Sequence, residues 1–145
     1  MSTQTKPKDA DRRIGSALVV EDDPILALSI EDILLEAGAP SVVVCSSTAQ
    51  ALAALERDKP DVLVLDVHLV DRDDGWAVAE LVKELGPQPP RIVFSTGNPD
   101  AIPADVAELG TVLTKPYAPD ALIEAVSGTR KTGLLARIKG AISPD

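Results

Sequence analysis

The sequence predicts a single α/β domain in which helices cover both faces of one parallel β-sheet. The 145 residues are 45% apolar, which is enough for one compact core. The chain has one Phe, one Trp and one Tyr, so this core must be mainly aliphatic. Five short apolar runs, rich in β-branched residues, alternate with segments of helical spacing. That alternation is typical of repeated strand–helix units with right-handed crossovers.

The first strand–helix unit is the clearest of the five. The apolar run at residues 17–20 stops at an acidic segment, where Asp23 is suited to cap a helix and Pro24 to open it. Gly38 follows as a left-handed helix end. The apolar residues that recur at helical spacing, and that we expect to face the sheet, are Ile25, Leu28, Ile33 and Leu34.

The other elements repeat this order. Further strands are predicted at residues 41–45, 61–67, 91–96 and 111–114. A second helix follows the cap candidates at residues 46–48, a third is predicted at 76–85, and a last one begins at 120. Two prolines between the fourth and fifth strands leave room for only a short helix. The apolar stripe expected for the second helix is Ala49, Leu52 and Leu55.

Composition argues against several kinds of partner. The net charge of −9 repels nucleic acid and anionic lipid, so neither is expected as a ligand. Residues 1–13 lack the apolar centre of a secretory signal, and no run approaches the ~20 apolar residues of a membrane span. Cys45 is the one cysteine, which excludes an internal disulfide and a cysteine-based metal cage. We expect a cytoplasmic protein in which Cys45 is a buried, unreactive thiol.

Polar side chains end or follow four of the five apolar runs. Glu21 and Asp22 follow the first, Asp66 ends the third, Thr96 ends the fourth and Lys115 follows the fifth. In open α/β sheets, ligands bind beyond the carboxyl ends of the strands. We therefore expect these five side chains at one edge of the sheet.

Together these residue types suit phosphoryl transfer. Magnesium is held by one or two carboxylates together with phosphate oxygens, which fits Asp22 and Asp66. Asp66 can be the nucleophile if the metal and Lys115 offset the charge of the transferring group, and the Thr96 hydroxyl can donate to a phosphate oxygen. Taken alone, Asp66 would be better explained as a strand-end carboxylate that caps a loop. Asp23 is better explained as a helix cap than as a third metal ligand.

Four motifs resemble those of the response-regulator receiver family, and they stand in the family's order. The resemblance covers residues 15–126 and implies a CheY-like, flavodoxin-like three-layer fold with strand order 2-1-3-4-5. The motifs are Leu-Val-Val-Glu21-Asp22-Asp-Pro, Leu-Val-Leu-Asp66-Val-His-Leu, Phe-Ser-Thr96-Gly and Thr-Lys115-Pro-Tyr.

The resemblance also implies a role for each matching residue. Asp66 corresponds to the phosphoacceptor. Magnesium would be held by Asp22 and Asp66 directly, by Glu21 through water and by the backbone carbonyl of His68. The phosphoryl oxygens would be held by the residues at the two later strand ends, Thr96 and Lys115, and the Lys115–Pro116 peptide would be cis.

The chain is also similar to a branch of stand-alone alphaproteobacterial receivers that read Phe-Ala-Thr-Gly followed by Tyr or Phe. It departs from them at Asn98, where the last aromatic stands. Receivers of the usual kind carry an aromatic three residues before the lysine, and Val112 occupies that position. The loop at residues 69–75 lacks the usual proline.

The predicted function is a single-domain response regulator, not an enzyme. It would take a phosphoryl group from a sensor histidine kinase or phosphotransfer protein, as a monomer or weak homodimer, and signal to a downstream protein or act as a phosphate sink. Two alternatives remain: a pseudo-receiver that binds partners without phosphorylation, and an aspartate-nucleophile phosphohydrolase, which needs an acid where His68 stands.

We expect residues 1–14 to be a disordered arm. Residues 127–145, with four basic residues against one acid, form a tail or extend the last helix.

Overall fold

The computed structural model describes residues 14–67, 77–82 and 89–127, which form alternating strands and helices. The strands are β1 (Ala17–Val20), β2 (Val42–Cys45), β3 (Val62–Asp66), β4 (Arg91–Thr96) and β5 (Thr111–Thr114). The helices are α1 (Pro24–Glu36), α2 (Thr48–Asp58), α3 (Ala77–Val82), α4 (Ala104–Ala107) and α5 (Pro119–Val126). Most of the predicted arm, the ends of the predicted third helix and most of the tail lie outside the described residues.

The five strands form one parallel sheet in the order β2-β1-β3-β4-β5, which confirms the predicted topology. Asp66 of β3 lies opposite Ser95 of β4, and Thr96 lies opposite Thr114 of β5. Because all the strands run in one direction, their carboxyl ends meet at a single edge of the sheet. The polar residues that end or follow the strands are therefore brought to that edge by the topology itself.

Helices cover both faces of the sheet, and the residues of each strand alternate between those faces. In β1, Leu18 and Val20 pack on one side with residues of α2, α3 and α4, whereas Ala17 and Val19 pack on the other side with residues of α1 and α5. All four β1 residues are buried. A strand buried on both sides must be apolar throughout, which explains the continuous apolar runs in the sequence.

Helix α1 begins as predicted but presents a different face to the sheet. The Asp23 carboxylate accepts hydrogen bonds from two backbone amides of the first turn, which confirms it as the N-cap. The predicted stripe was wrong for Ile25, which is 80% exposed, and for Leu28, which is 57% exposed. At 100° per residue, Ile25 lies about 200° around the helix from the buried Ala27. The buried residues of α1 are Ala27, Ile30 and Leu34.

Helix α2 shows the same kind of difference. Its cap is confirmed, because the Ser47 hydroxyl accepts a hydrogen bond of 3.2 Å from the backbone amide of Gln50. Ala49 and Leu52, which were expected to be buried, are exposed. The helix instead packs through two alanines and Leu55, which allows it a close approach to the sheet. The buried apolar residues of α2 are Ala51, Ala54 and Leu55.

The rest of the described chain follows the predicted outline. β4 and β5 have the predicted bounds, and only a 3-10 turn at Pro99–Ala101 and the one-turn helix α4 stand between them. Cys45 is buried at the end of β2, and burial raises the pKa of its thiol. Among the described residues, no helix combines the length and the apolar character needed to cross a membrane.

Candidate functional site

Three carboxylates converge at the carboxyl edge of the sheet. Glu21 and Asp22 come directly after β1, and Asp66 is the last residue of the neighbouring β3. Each contributes an oxygen atom that lies within 4.8 Å of the oxygens of the other two. Glu21 and Asp66 are buried, with exposures of 2% and 3%, whereas Asp22 is partly exposed. The cluster therefore opens towards solvent on the side of Asp22.

Lys115 brings a positive charge into this acidic cluster. It follows β5, and its Nζ lies 3.3 Å from Glu21 Oε1, to which it donates a hydrogen bond. The same Nζ lies 3.6 Å from Asp66 Oδ1. The lysine side chain is 27% exposed, so the ammonium group bridges two buried carboxylates and still reaches the solvent.

The pKa values reflect this crowding. Burial raises the pKa of Glu21 to about 7, against the hydrogen bond from the Asp23 amide, and the neighbouring Asp66 adds to the rise. Partial burial acts to lower the pKa of Lys115, but the negative charges of Asp66 and Glu21 outweigh it and raise that pKa. Lys115 is therefore fully charged at neutral pH. Glu21 therefore holds a proton more readily than an exposed glutamate does, chiefly because it is buried.

Thr96 lies at the same edge, at the buried end of β4. Its hydroxyl oxygen accepts a hydrogen bond of 2.9 Å from the Asn98 amide, so the hydroxyl proton can be donated elsewhere. Its carbonyl oxygen accepts a 2.7 Å hydrogen bond from the Lys115 amide, which joins the ends of β4 and β5. The peptide between Lys115 and Pro116 is cis, as the family resemblance implied.

One pair of side chains at this edge was not predicted from the sequence. The hydroxyls of Ser95 and Tyr117 lie 2.9 Å apart and are hydrogen-bonded. Ser95 is buried, and Tyr117 is partly buried among apolar residues. The signal in the sequence was position, because Ser95 directly precedes Thr96 and Tyr117 comes two residues after Lys115.

Some of the residues discussed in the sequence analysis can be located in the structure, and others cannot. His68 and the loop at residues 69–75 lie outside the described residues. Val112 is partly buried against the core beneath α2, α3 and α4, where it serves as an ordinary apolar contact. Glu21, Asp22, Asp66 and Lys115 come together at the sheet edge.

The grouped side chains can bind a cation and can attack a phosphorus atom. The clustered carboxylate oxygens are ligands of the kind that hard divalent cations prefer. An ionised carboxylate with a fixed ammonium group beside it can also attack a phosphorus atom, since the ammonium offsets the charge of the incoming group. The edge therefore combines a cation-binding cluster with a candidate nucleophile.

Known proteins share the sequence pattern and the fold of this chain. A family model described as the response regulator receiver domain matches residues 17–127. The transcriptional regulatory protein GlrR of Escherichia coli K12 is 34% identical over 110 residues, which are 75% of this chain and 24% of that protein. The chemotaxis protein CheY of Bacillus subtilis is 26% identical over 114 residues, which are 77% of this chain and 94% of that protein.

The fold of this chain also matches that of a solved receiver domain. The receiver domain of the sensor histidine kinase PA1611 from Pseudomonas aeruginosa, determined with a magnesium ion coordinated in its active-site cleft, superposes with a TM-score of 0.64. The two chains are 25% identical, and the match covers 77% of this chain and 93% of that one. The chain spans about a quarter of GlrR but nearly all of the CheY relative. On the extent of the family match, this chain belongs to the response regulator receiver domain family.

Proposed function

We propose that this chain is a response regulator of a two-component phosphorelay, which accepts a phosphoryl group on Asp66. The observation that carries the proposal is the position of the Lys115 ammonium, 3.6 Å from Asp66, beside a cluster of three carboxylates. The receiver domain is taken to span residues 15–126, close to the limits of the family match. The donor would be a sensor histidine kinase or a phosphotransfer protein.

The residues present fit a magnesium ion. Asp22 and Asp66 would each contribute a carboxylate oxygen, and Glu21 would act through water. The backbone carbonyl of His68 completes this set on the family resemblance alone. The clustered carboxylates offer the oxygen ligands that magnesium prefers. A divalent cation between them would also offset the repulsion among these closely spaced acids. When bound, the ion would neutralise charge on the transferring phosphoryl group.

The transfer itself needs little covalent chemistry from the protein. An Asp66 carboxylate oxygen attacks the phosphorus atom of the donor's phosphohistidine and forms a new P–O bond. The P–N bond breaks, and its electron pair stays on the imidazole nitrogen of the donor. The products are an acyl phosphate on Asp66 and a histidine that takes up a proton from water.

Lys115 and Thr96 would bind the phosphoryl group once it arrives. Lys115 already lies beside Asp66, and its ammonium can bind a phosphoryl oxygen by charge-assisted hydrogen bonds. Thr96 would donate its hydroxyl proton to a second oxygen. That contact arises only on phosphorylation, so it can distinguish the two states.

The output is proposed to be protein contact or the draining of phosphate from a kinase. Neither role requires an enzymatic activity beyond the chain's own phosphorylation and dephosphorylation. The near-complete match to a CheY protein supports a domain that can act alone. Because histidine kinases make their phosphohistidine from cytoplasmic ATP, the exchange would take place in the cytoplasm.

Incubation with magnesium and acetyl phosphate tests the proposal. Wild-type protein should form an acid-stable, base-labile acyl phosphate, detected as a mass increase of the intact chain, and the reaction should stop when EDTA is added. Asp66→Asn should give no adduct. Asp58→Asn removes an exposed acid that pairs with Arg57 and serves as the matched control, which should react like the wild type.

The same experiment, repeated with a phosphate ester and with beryllofluoride, separates the alternatives. A magnesium-dependent adduct on Asp66 supports the response regulator. Rapid turnover of phosphate esters without an adduct would instead indicate a phosphohydrolase. The absence of any magnesium-dependent change, including with beryllofluoride, would indicate a pseudo-receiver and would refute the proposal.

A further inference from the structure

A hydrogen bond between two side-chain hydroxyls joins the ends of β4 and β5. The Ser95 Oγ and the Tyr117 hydroxyl oxygen lie 2.9 Å apart. Ser95 is 1% exposed, so its hydroxyl is withdrawn from water and Tyr117 is the partner that satisfies it. The Ser95 end of this bond is shielded from water, which strengthens a hydrogen bond because water competes less for the group.

Both partners stand next to residues of the phosphoryl-transfer site. Ser95 precedes Thr96 in β4 and lies opposite Asp66 in the sheet. Tyr117 comes two residues after Lys115. The Lys115 amide also donates to the Thr96 carbonyl. The ends of the two strands are therefore linked twice. The Lys115 and Thr96 backbones form one hydrogen bond, and the Ser95 and Tyr117 side chains form the other.

The tyrosine ring gives this link a fixed anchor. Tyr117 packs against the apolar cluster beneath α1 and α5, together with Leu113 of β5. An aromatic side chain has only two rotatable bonds, so a packed ring holds its hydroxyl at a defined position. Burial raises the pKa of Tyr117, so the hydroxyl keeps its proton at neutral pH and remains able to donate or accept.

We propose that Tyr117 is a positioning residue for phosphoryl transfer, which acts through the Ser95 hydroxyl to fix the spacing between Thr96 and Lys115. The inference rests on the proposed function, since it concerns the same transfer to Asp66. Thr96 and Lys115 come from different strands, and each must meet a different oxygen of one small group. A displacement of either strand end changes the spacing between Thr96 and Lys115, so that one phosphoryl group can no longer meet both side chains in their best geometry.

Two single substitutions and their combination test this role. Tyr117→Phe removes one hydroxyl and keeps the ring, Ser95→Ala removes the other, and the double variant removes both. Each full-length protein is phosphorylated with acetyl phosphate and magnesium, and the rate is measured over a range of acetyl phosphate concentrations. Magnesium affinity is measured by calorimetry, and urea unfolding establishes that each variant is folded under the conditions used.

The expected result is a loss of rate that the two residues share. Each single variant should phosphorylate about fivefold more slowly, which corresponds to the loss of one hydrogen bond, and the double variant should be no slower than either. The loss should fall on the maximal rate, with magnesium affinity within about twofold of wild type. A pair that only supports packing would leave the rate of the folded protein unchanged.

The outcomes separate this inference from the function on which it rests. If wild-type protein takes up no phosphoryl group, the proposed function fails and the inference fails with it. If wild type is phosphorylated but Tyr117→Phe keeps the wild-type rate, the inference alone is wrong. It is also wrong if the two single losses multiply in the double variant, since the residues would then act separately.

Discussion

Replacement of Lys115 by alanine tests the division of labour in the site most directly. The proposed roles assign the metal to the carboxylates and the charge of the incoming phosphoryl group to Lys115. In the structure its ammonium lies 3.3 Å from Glu21 and 3.6 Å from Asp66. Removal of the ammonium should therefore leave magnesium binding intact but impair phosphorylation.

The size of the effect follows from distance and environment. Two unit charges about 4 Å apart interact by about 4 kcal/mol at an effective dielectric constant of about 20. The Lys115 side chain is 27% exposed, so solvent screens part of this and about 2 to 3 kcal/mol should remain in the transition state. That corresponds to a rate of phosphorylation about 30- to 150-fold lower. Magnesium affinity should be equal to wild type or higher, because a competing cation has been removed.

The assay compares two variants with the same change in net charge. Arg57→Ala removes an exposed cation whose described ion pair is with the adjacent Asp58, so it should phosphorylate like the wild type. Phosphorylation by acetyl phosphate and magnesium affinity by calorimetry are measured for both. The assigned roles would be refuted if Lys115→Ala were phosphorylated within about threefold of the wild-type rate. They would also be refuted if its magnesium affinity fell by as large a factor as its phosphorylation rate.

Three further predictions concern the acids and the thiol. Because the pKa of Glu21 is raised to about 7 from its ordinary 4.5, its stabilising effect is present at low pH and is lost as pH rises through 7. In EDTA, urea unfolding should show about 1 kcal/mol less stability at pH 8 than at pH 6, and Glu21→Gln should abolish this difference. Asp23→Ala should cost about 1 kcal/mol of unfolding free energy while Asp23→Asn retains the cap; equal losses would contradict the capping role. The buried Cys45 should react with Ellman's reagent about a hundredfold more slowly when folded than in guanidinium, and rapid reaction of folded protein would count against its burial.

The fold could be predicted because its signals are local and repeated. Each strand is a continuous apolar run, and each run ends at a change to polar residues that marks the sheet edge. The cap at Asp23 was equally readable, since an acidic residue before Pro24 has few other uses. The convergence of Glu21, Asp66 and Lys115 then followed from topology, because parallel strands bring their carboxyl ends together.

The rotation of the helices could not be predicted in the same way. A spacing rule identifies an apolar stripe but does not decide between two overlapping stripes. In α1, the alternative through Ala27 wins because a small residue lets the helix approach the sheet closely. Ile25 and Leu28 are thereby turned outwards, although both are more hydrophobic than Ala27. The choice depends on packing against neighbouring strands, which the helix sequence does not contain.

The hydrogen bond between Ser95 and Tyr117 was missed for a related reason. Neither residue belongs to a motif whose chemistry demands it, and they are 22 positions apart in the chain. From the sequence, attention fell on Val112 and Asn98 instead, because they stand where the family carries aromatic residues. The contact between the two hydroxyls depends on the register of β4 and β5 and on the path of the chain after Lys115. The strand register and the chain path are set only when the whole sheet is assembled, so neither can be inferred from the local sequence.

The charge at this edge explains why metal binding and phosphorylation should depend on each other. Among the residues that the structure describes, the three clustered acids face one ammonium group, so a divalent cation would bring the local charge close to balance. Phosphorylation of Asp66 then replaces one negative charge by roughly two, which makes the cation more favourable still. If magnesium promotes the phosphorylated state, that state must tighten magnesium binding by the same factor, because the coupling between two binding equilibria is reciprocal. Lys115 stays charged in both states, since the acids raise its pKa, so the metal is the component whose occupancy can follow the phosphoryl group.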